Sequence, residues 1–205
     1  MRRSLHGKPD PIDYKMKKKQ LTELISLEST GFLDLYFADE SGFSLTPSVP
    51  YGWQKVSETE SIATQRSQQL NVFGLLTRGN KFESYTKLGS NTSANIISYI
   101  EDFKKTITKK TVIVLDNAPI HKSHEFLLKI EEWVSSGLYI FFLPTYSPHL
   151  NLIETLWRKI KYEWLKPADY YGMDKLAHAT ENILRGIGSE FVINFECEDC
   201  SIICV

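Results

Sequence analysis

The chain has 205 residues, of which 42% are hydrophobic and 24% charged, and its formal net charge is −1. This length allows one domain with a substantial core, and the composition is that of an ordinary globular protein. No uninterrupted apolar run approaches the roughly 20 residues that span a bilayer, and no apolar stretch follows the charged N-terminus. We therefore expect a protein of the cytoplasm, without a membrane partner or a secretory signal.

Basic residues are clustered along the chain although the net charge is close to zero. Clusters occur at residues 15–19, 104–105, 109–110 and 157–166. Local basic patches on a nearly neutral chain fit a protein that binds a polyanion on one face. For any single cluster, a solvated helix face is an equally good interpretation.

The N-terminal part changes character near residue 30. Residues 1–30 are polar and basic, with one amphipathic stretch from Lys15 to Leu27 that predicts a helix. The segment that follows, "FLDLYFADESGF" at 32–43, alternates apolar and polar residues before Asp39, which predicts a strand.

The middle of the chain contains a predicted hairpin and a predicted helix. Residues 51–56, "YGWQKV", are interpreted as a short strand or turn, and residues 67–89 as two strands joined at Arg78-Gly79-Asn80. Residues 91–110 then change to helical spacing, with Thr92 or Ser93 as the N-cap.

Helices and strands alternate in the second half. Residues 111–116 and 138–144 are short apolar runs, typical of strands buried on both faces. Three amphipathic helices are predicted at 122–136, 150–165 and 173–187, and Gly137 is well placed to end the first of them. The order of elements predicts an α/β fold with a mixed five-stranded sheet covered by helices.

We divide the chain into a basic linker (1–30), one domain (31–195) and a tail (196–205). The tail contains all three cysteines, Cys197, Cys200 and Cys204. The first two have the spacing of half a zinc site, but a second paired cluster is missing. We interpret the tail as a terminal segment without a metal function, and an odd cysteine number argues against a disulfide framework.

Two of the predicted buried strands end on an acid, Asp39 and Asp116. If these strands are parallel neighbours, their carboxylates meet at one edge of the sheet. Two like charges at short range are costly unless a cation neutralises them, and oxygen ligands favour Mg²⁺ or Mn²⁺. Each acid also has an ordinary interpretation, since Asp39 could begin a turn and Asp116 could form an Asx turn with Asn117.

A third acid, Glu154, lies at the start of the helix predicted at 150–165. It is about 100° around the helix from Ile153, on the flank of the buried face. Arg158 and Lys161 follow on the same flank. This arrangement could hold a metal ion and then the phosphates of a nucleic acid, although Glu154 and Arg158 also have the spacing of a surface ion pair.

Three segments resemble the signature blocks of the DDE transposases. They are "FADESGF", "LDNAPIHKS" and "FLPTYSPHLNLIETLWRKIK", in the order typical of that family. More narrowly, they resemble the insertion-sequence six-thirty family, which is related to the mariner transposons. The resemblance extends from about Leu33 to the last helix and implies an RNase H-like fold, in agreement with the predicted element order.

The resemblance assigns roles to residues within these blocks. It makes Asp39, Asp116 and Glu154 the catalytic triad that binds two divalent cations, Mg²⁺ or Mn²⁺. Asn117 and His121 follow the second acid and would shape the site or contact DNA. The remaining matches are Gly52-Trp53 after the first block and the loop that delivers the third acid, with Pro144, Tyr146, Ser147, Pro148 and Asn151.

The implied function is cut-and-paste transposition by a metal-dependent endonuclease acting on double-stranded DNA at transposon ends and target. Cleavage of paired ends implies a dimer. Family members carry helix-turn-helix modules ahead of the catalytic domain, so we expect an upstream-encoded DNA-binding half as a further partner. Two alternatives remain: an RNase H-like nuclease with another nucleic-acid substrate, or a truncated, inactive DNA-binding or regulatory partner of a full-length transposase.

Overall fold

The computed structural model describes residues 10–47 and 69–195. In these two ranges no helix combines the length and apolarity needed to cross a membrane. The predicted turn at 51–56, the Gly52-Trp53 pair and the cysteine-containing tail lie outside the described residues.

The described residues form five helices and five strands, together with short 3₁₀ turns. In chain order the elements are α1 (Pro11–Ser29), β1 (Asp34–Phe43), β2 (Leu70–Leu76), β3 (Phe82–Leu88), α2 (Ser93–Lys104), β4 (Thr111–Leu115), α3 (His124–Ser135), β5 (Leu138–Phe142), α4 (Ile153–Lys159) and α5 (Met173–Gly186).

The five strands form one mixed sheet in the order β3-β2-β1-β4-β5. The meander β1-β2-β3 is antiparallel, whereas β1, β4 and β5 run parallel. This confirms the predicted mixed five-stranded sheet. The change from antiparallel to parallel pairing occurs at β1, whose first residues, Asp34–Phe37, pair with Thr111–Val114 of β4.

Each face of the sheet is covered by its own helices, because successive side chains of a strand point to opposite faces. Leu35 and Phe37 of β1 belong to a core that also contains buried residues of α1, α4 and α5. Tyr36 and Ala38 belong to a second core, built with α2 and α3. Alternate residues of β1 and β4 therefore face different groups of helices.

Helix α1 is longer than the predicted stretch Lys15–Leu27 and packs on the first of these cores. Asp10 caps it by accepting a hydrogen bond from the Ile12 amide. Leu21 is completely buried in this core. Part of the predicted linker at 1–30 thus contributes apolar packing to the sheet.

Three predicted elements differ from the structure. Strand β1 does not end near Asp39 but continues to Phe43, because its antiparallel pairing with β2 extends through Asp39 and Gly74. Strand β5 is only half-buried after Leu138, because it is an edge strand. The helix predicted at 150–165 is regular only in α4, and a π-helical turn follows to Trp164.

The local signals between β2 and α3 are confirmed. The hairpin turns at residues 77–81, where Asn80 adopts a positive φ of 62°. Thr92 caps α2 in a capping box with Asn95. Gly137, with φ of 84°, follows the end of α3 as expected.

Candidate active site

The sheet register brings Asp39 and Asp116 to the same level. Phe37 pairs with Val114 across the parallel strands, and each aspartate lies two residues further along its own segment. Their side chains therefore point to the same face of the sheet as those of Phe37 and Val114, which is the face that carries α4. Glu154 is in the first turn of α4. All three carboxylates line one cleft of about 380 Å³.

Asp39 is held by the buried indole of Trp157 in α4. The Trp157 Nε1 group donates a hydrogen bond of 3.1 Å to Asp39 Oδ2. The indole ring packs over Gly74 of β2, where an added Cβ would lie 2.8 Å from Trp157 Cη2. A glycine at this position is what allows the ring to lie so close to the sheet.

Asn151 fastens the start of α4 to β1. This buried amide donates from Nδ2 to the carbonyl oxygen of Ala38, at 3.0 Å. The backbone carbonyl oxygen of Asn151 accepts from the Glu154 backbone amide at 3.1 Å, so the third acid is positioned relative to the strand that carries the first. Within the described residues, Asn151 Oδ1 has no hydrogen-bond partner.

Asp116 is held by two donors on the same oxygen. The Ala118 amide and His121 Nδ1 each lie 2.9 Å from Asp116 Oδ1. His121 is fully buried, and its Nε2 lies 3.2 Å from Glu40 Oε1. Neighbouring Asn117 donates from Nδ2 to the Leu143 carbonyl, which ties the end of β4 to the segment after β5.

The pKa values in the cleft reflect burial first, and the neighbouring charges and hydrogen bonds second. Burial, followed by the charges of Glu154, Glu40 and Asp116, raises the pKa of Asp39 from 3.8 to about 8. Partial burial in the cleft also raises the pKa of Glu154, although its side chain remains exposed, and the charge of Lys161 opposes this rise. For Asp116 burial acts upward too, but the hydrogen bonds from His121 and the Ala118 amide outweigh it and leave the pKa lowered.

His121 is the positive partner of this group. Burial lowers the pKa of His121, but hydrogen bonds with Asp116 and Glu40 outweigh burial and raise the pKa to about 9. The ring is therefore protonated at neutral pH and donates from both nitrogens. Complete burial between two carboxylates gives the ring a structural ion-pair role and leaves it no exposed surface for a contact with DNA.

The two basic residues predicted on the flank of α4 occupy different environments. Lys161 is half-buried, with its ammonium 5.3 Å from the centre of the Phe43 ring. Burial lowers the pKa of Lys161, while the nearby charges of Glu154 and Asp39 act in the opposite direction. Arg158 is exposed and does not line the cleft.

The donors in the cleft fit a hard divalent cation. They are carboxylate and amide oxygens, the ligands that Mg²⁺ and Mn²⁺ prefer. A cation would also neutralise the repulsion that raises the pKa of Asp39, and Asn151 adds an acceptor without a described partner. Among residues 10–47 and 69–195, however, no three His, Cys, Asp or Glu side chains surround one common metal position. The carboxylates thus share a cleft without enclosing a single ion.

The raised pKa of Asp39 makes the stability of the metal-free chain dependent on pH. The folded state retains a proton on Asp39 that the unfolded state has already released above 3.8, so stability falls as the pH rises from about 4 to about 8. We expect Asp39→Asn, which cannot ionise, to be more stable than the wild type at pH 8 by roughly 2 kcal/mol. Urea denaturation with a chelator at pH 5 and pH 8 measures this difference.

The matched control is Asp34→Asn, at the other end of β1, where Asp34 forms an ion pair of 3.0 Å with Lys109. This variant should keep the pH dependence of the wild type. Both variants retain His121. Because the pKa of His121 is raised, stability also falls as the pH rises from 6.5 to about 9, but this contribution is common to both variants and the comparison isolates Asp39. If the stability of Asp39→Asn depended on pH as strongly as that of the wild type, the raised pKa of Asp39 would be contradicted.

The sheet order, the flanking helices and the acids that two neighbouring parallel strands bring to one cleft define an RNase H-like domain with a candidate nuclease site. The chain belongs to the DDE superfamily endonuclease family, which matches residues 34–176. The observed fold and the family match confirm the RNase H-like fold and the DDE family that the three sequence blocks indicate.

Individual relatives agree with this assignment. The "Insertion element IS630 uncharacterized 39 kDa protein" of Shigella sonnei is 28% identical over 131 residues, which cover 62% of this chain and 37% of that protein. The chain thus spans little more than a third of the curated relative that it matches. This similarity agrees with the narrower resemblance to the insertion-sequence six-thirty family.

Solved structures with the same fold come from transposases and a retroviral assembly. The Mos1 mariner paired-end complex with Mn has a TM-score of 0.58 at 10% identity, covering 100% of this chain and 62% of that chain. The Mos1 transposase paired-end complex with the left transposon end has a TM-score of 0.55 at 11% identity, covering 90% and 58%. The simian T-cell lymphotropic virus intasome has a TM-score of 0.54 at 15% identity, covering 84% and 54%.

Proposed function

We propose that the chain is the catalytic domain of a transposase that cleaves and joins DNA with divalent cations. The observation that carries the proposal is the meeting of three carboxylates, from β1, the end of β4 and α4, in one cleft of a DDE-family chain. Asp39, Asp116 and Glu154 are then the catalytic and metal-binding residues.

The chain's own groups prepare these carboxylates before any ligand binds. Trp157 orients Asp39, and His121 with the Ala118 amide orients Asp116. Glu154 is at the exposed mouth of the cleft, where a nucleic-acid backbone has access to it. Fixed donors and acceptors of this kind reduce the reorganisation needed during the reaction.

Cations supply the remaining chemistry when bound, by stabilising charge on the scissile phosphate and lowering the pKa of an attacking water. Asp39, Asp116 and Glu154 would hold two cations between them, so no single cation would need all three carboxylates. This is compatible with acids that share a cleft without surrounding one point. In the joining step a freed 3′ hydroxyl replaces water as the nucleophile, so one site serves both reactions.

Basic residues near the cleft would bind phosphates of double-stranded DNA. Lys161 is coupled electrostatically to both Asp39 and Glu154, and exposed Arg158 is one turn from Glu154. Cutting two transposon ends requires two copies of the site, so we propose a dimer in the active complex. We further propose an upstream-encoded DNA-binding half as a partner.

Substrate preference tests the proposal. The full 205-residue chain is incubated with Mg²⁺ and three substrates: a duplex containing the element's flanking ends, an RNA–DNA hybrid and a four-way junction. We expect nicking of the duplex with Mg²⁺ or Mn²⁺ and none with a chelator. Preferred cleavage of the hybrid or junction would instead support another RNase H-like nuclease. Cleavage only after addition of a longer transposase would support a regulatory partner.

A further inference from the structure

Strand β1 presents two consecutive acids to opposite faces of the sheet. Asp39 faces α4 and lines the cleft directly. Glu40 is the next residue of the strand, so its side chain points to the other face, which α2 and α3 cover, and only 18% of it is exposed. Glu40 does not line the cleft, yet it contacts a group that does reach the site.

That group is His121, in the short 3₁₀ turn after β4. Its side chain is 0% exposed, with Nε2 at 3.2 Å from Glu40 Oε1 and Nδ1 at 2.9 Å from Asp116 Oδ1. The ring thus lies between two carboxylates from neighbouring parallel strands. It also packs 5.8 Å from the ring of Phe126, which limits its rotation.

We propose that Glu40 is a positioning residue, which acts through His121 to fix the carboxylate of Asp116 for its ligand in the cleft; the inference rests on the function proposed above. Consecutive residues of β1 then serve one site by two routes. Asp39 acts in the cleft itself, and Glu40 acts from the other face of the sheet.

Asp116 needs such support because it follows the last residue of β4 and its side chain is 49% exposed. Both of its described hydrogen bonds go to Oδ1, so Oδ2 stays available to a ligand. Glu40 is a suitable anchor because β1 pairs with β2 from Phe37 to Phe43, and this pairing holds the Glu40 backbone in register with Phe73. Partners that orient a metal-binding group in this way typically change metal affinity by 10–100-fold when they are removed.

Two conservative variants separate position from charge. Glu40→Asp keeps the carboxylate but shortens the side chain by one methylene, so it should lose contact with His121. Glu40→Gln keeps the reach and a hydrogen-bonding atom but loses the charge. We expect Glu40→Asp to weaken Mn²⁺ binding by the full chain about tenfold, and Glu40→Gln by no more than about threefold. Electron paramagnetic resonance of free Mn²⁺ measures the affinity without substrate, and thermal unfolding confirms that each variant is folded.

A double-mutant cycle tests the route through His121. If Glu40 acts only through the ring, Glu40→Asp should add less than about twofold to the loss caused by His121→Gln. Independent, multiplicative losses would overturn the proposal. So would Mn²⁺ affinity that is unchanged in Glu40→Asp, or lower in Glu40→Gln than in Glu40→Asp.

Asp116→Ala and Glu154→Gln in the same titration distinguish this inference from the function on which it rests. If these two variants lose Mn²⁺ binding and Glu40→Asp does not, only the role of Glu40 is wrong. If they bind Mn²⁺ like the wild type, the proposed metal site itself is wrong. Asp34→Asn, on the same strand and far from the cleft, is the control and should bind normally.

Discussion

Replacement of Glu154 by glutamine is expected to reduce Mg²⁺-dependent nicking of duplex DNA by at least about a thousandfold. Charge stabilisation by a bound cation contributes several kcal/mol, and about 4 kcal/mol corresponds to this factor. Glutamine has nearly the same shape as glutamate but lacks its charge, and residue 154 is exposed, so the fold should be unaffected. Single-turnover nicking of a labelled duplex measures the loss.

Asp116→Ala should have an effect of similar size, because it removes the carboxylate that His121 and the Ala118 amide orient. The matched control is Glu163→Gln. Glu163 lies in the turn after α4, is exposed and contacts Lys159 at 2.8 Å. This variant should cleave DNA at the rate of the wild type. Retained nicking in both Glu154→Gln and Asp116→Ala would end the assignment of the triad.

Replacement of Trp157 by alanine is expected to lower the free energy of unfolding by about 3–5 kcal/mol. The indole is almost fully buried and contacts residues of three strands: it packs over Gly74 and edge-on against Phe43 and Phe82. Its removal leaves a cavity directly beneath the cleft and deprives Asp39 of its side-chain donor. Urea denaturation followed by circular dichroism measures the change.

Trp157→Phe separates packing from hydrogen bonding at this position. Phenylalanine fills most of the space but has no N–H group, so we expect a smaller loss of stability and a decrease in nicking of about 10–100-fold. Tyr162→Ala, which removes an exposed aromatic side chain two residues after Ile160, should change stability by less than about 0.5 kcal/mol. Wild-type nicking by Trp157→Phe would show that the indole does not position Asp39.

The elements with a strong local signal were predicted well. Helix α2 begins at the expected Thr92 cap, and Gly137 follows α3, because capping depends on residues within one turn. The hairpin after β2 likewise turns at the predicted residues. The strand predicted at 32–43 forms as β1, but Asp39 lies inside it and not at its end, because pairing with β2 continues past Asp39 to Phe43.

The regularity of α4 was also overestimated. The spacing of Ile153, Leu156, Trp157 and Ile160 is helical, and all four are buried as expected. The change to a wider turn after Lys159 leaves no mark in this spacing, since the apolar face continues to Trp164. The Leu165 amide bonds the Ile160 carbonyl at 3.0 Å, a local adjustment to packing.

The residues that support the candidate site were harder to predict than the acids themselves. The sequence did not indicate a role for Glu40, because its side chain points to the opposite face of the sheet from Asp39 and its partner, His121, is 81 residues away. The link between Trp157 and Asp39 spans 118 residues, and it depends on the space above Gly74. Two features of the sequence could have indicated these supporting residues: Glu40 directly follows Asp39, and Gly74 lies inside an apolar strand.

The sequence by itself determined the order of elements, the three blocks that identify the family, and the acids at the ends of predicted elements, because periodicity, capping and motif spacing are local properties. Only the tertiary structure decided that Asp39 and Asp116 lie at one level, that α4 brings Glu154 into their cleft, and that Glu40 reaches Asp116 through a buried histidine. The physical reason is that strand register and the approach of a helix depend on how distant parts of the chain pack together, and no short segment contains that information.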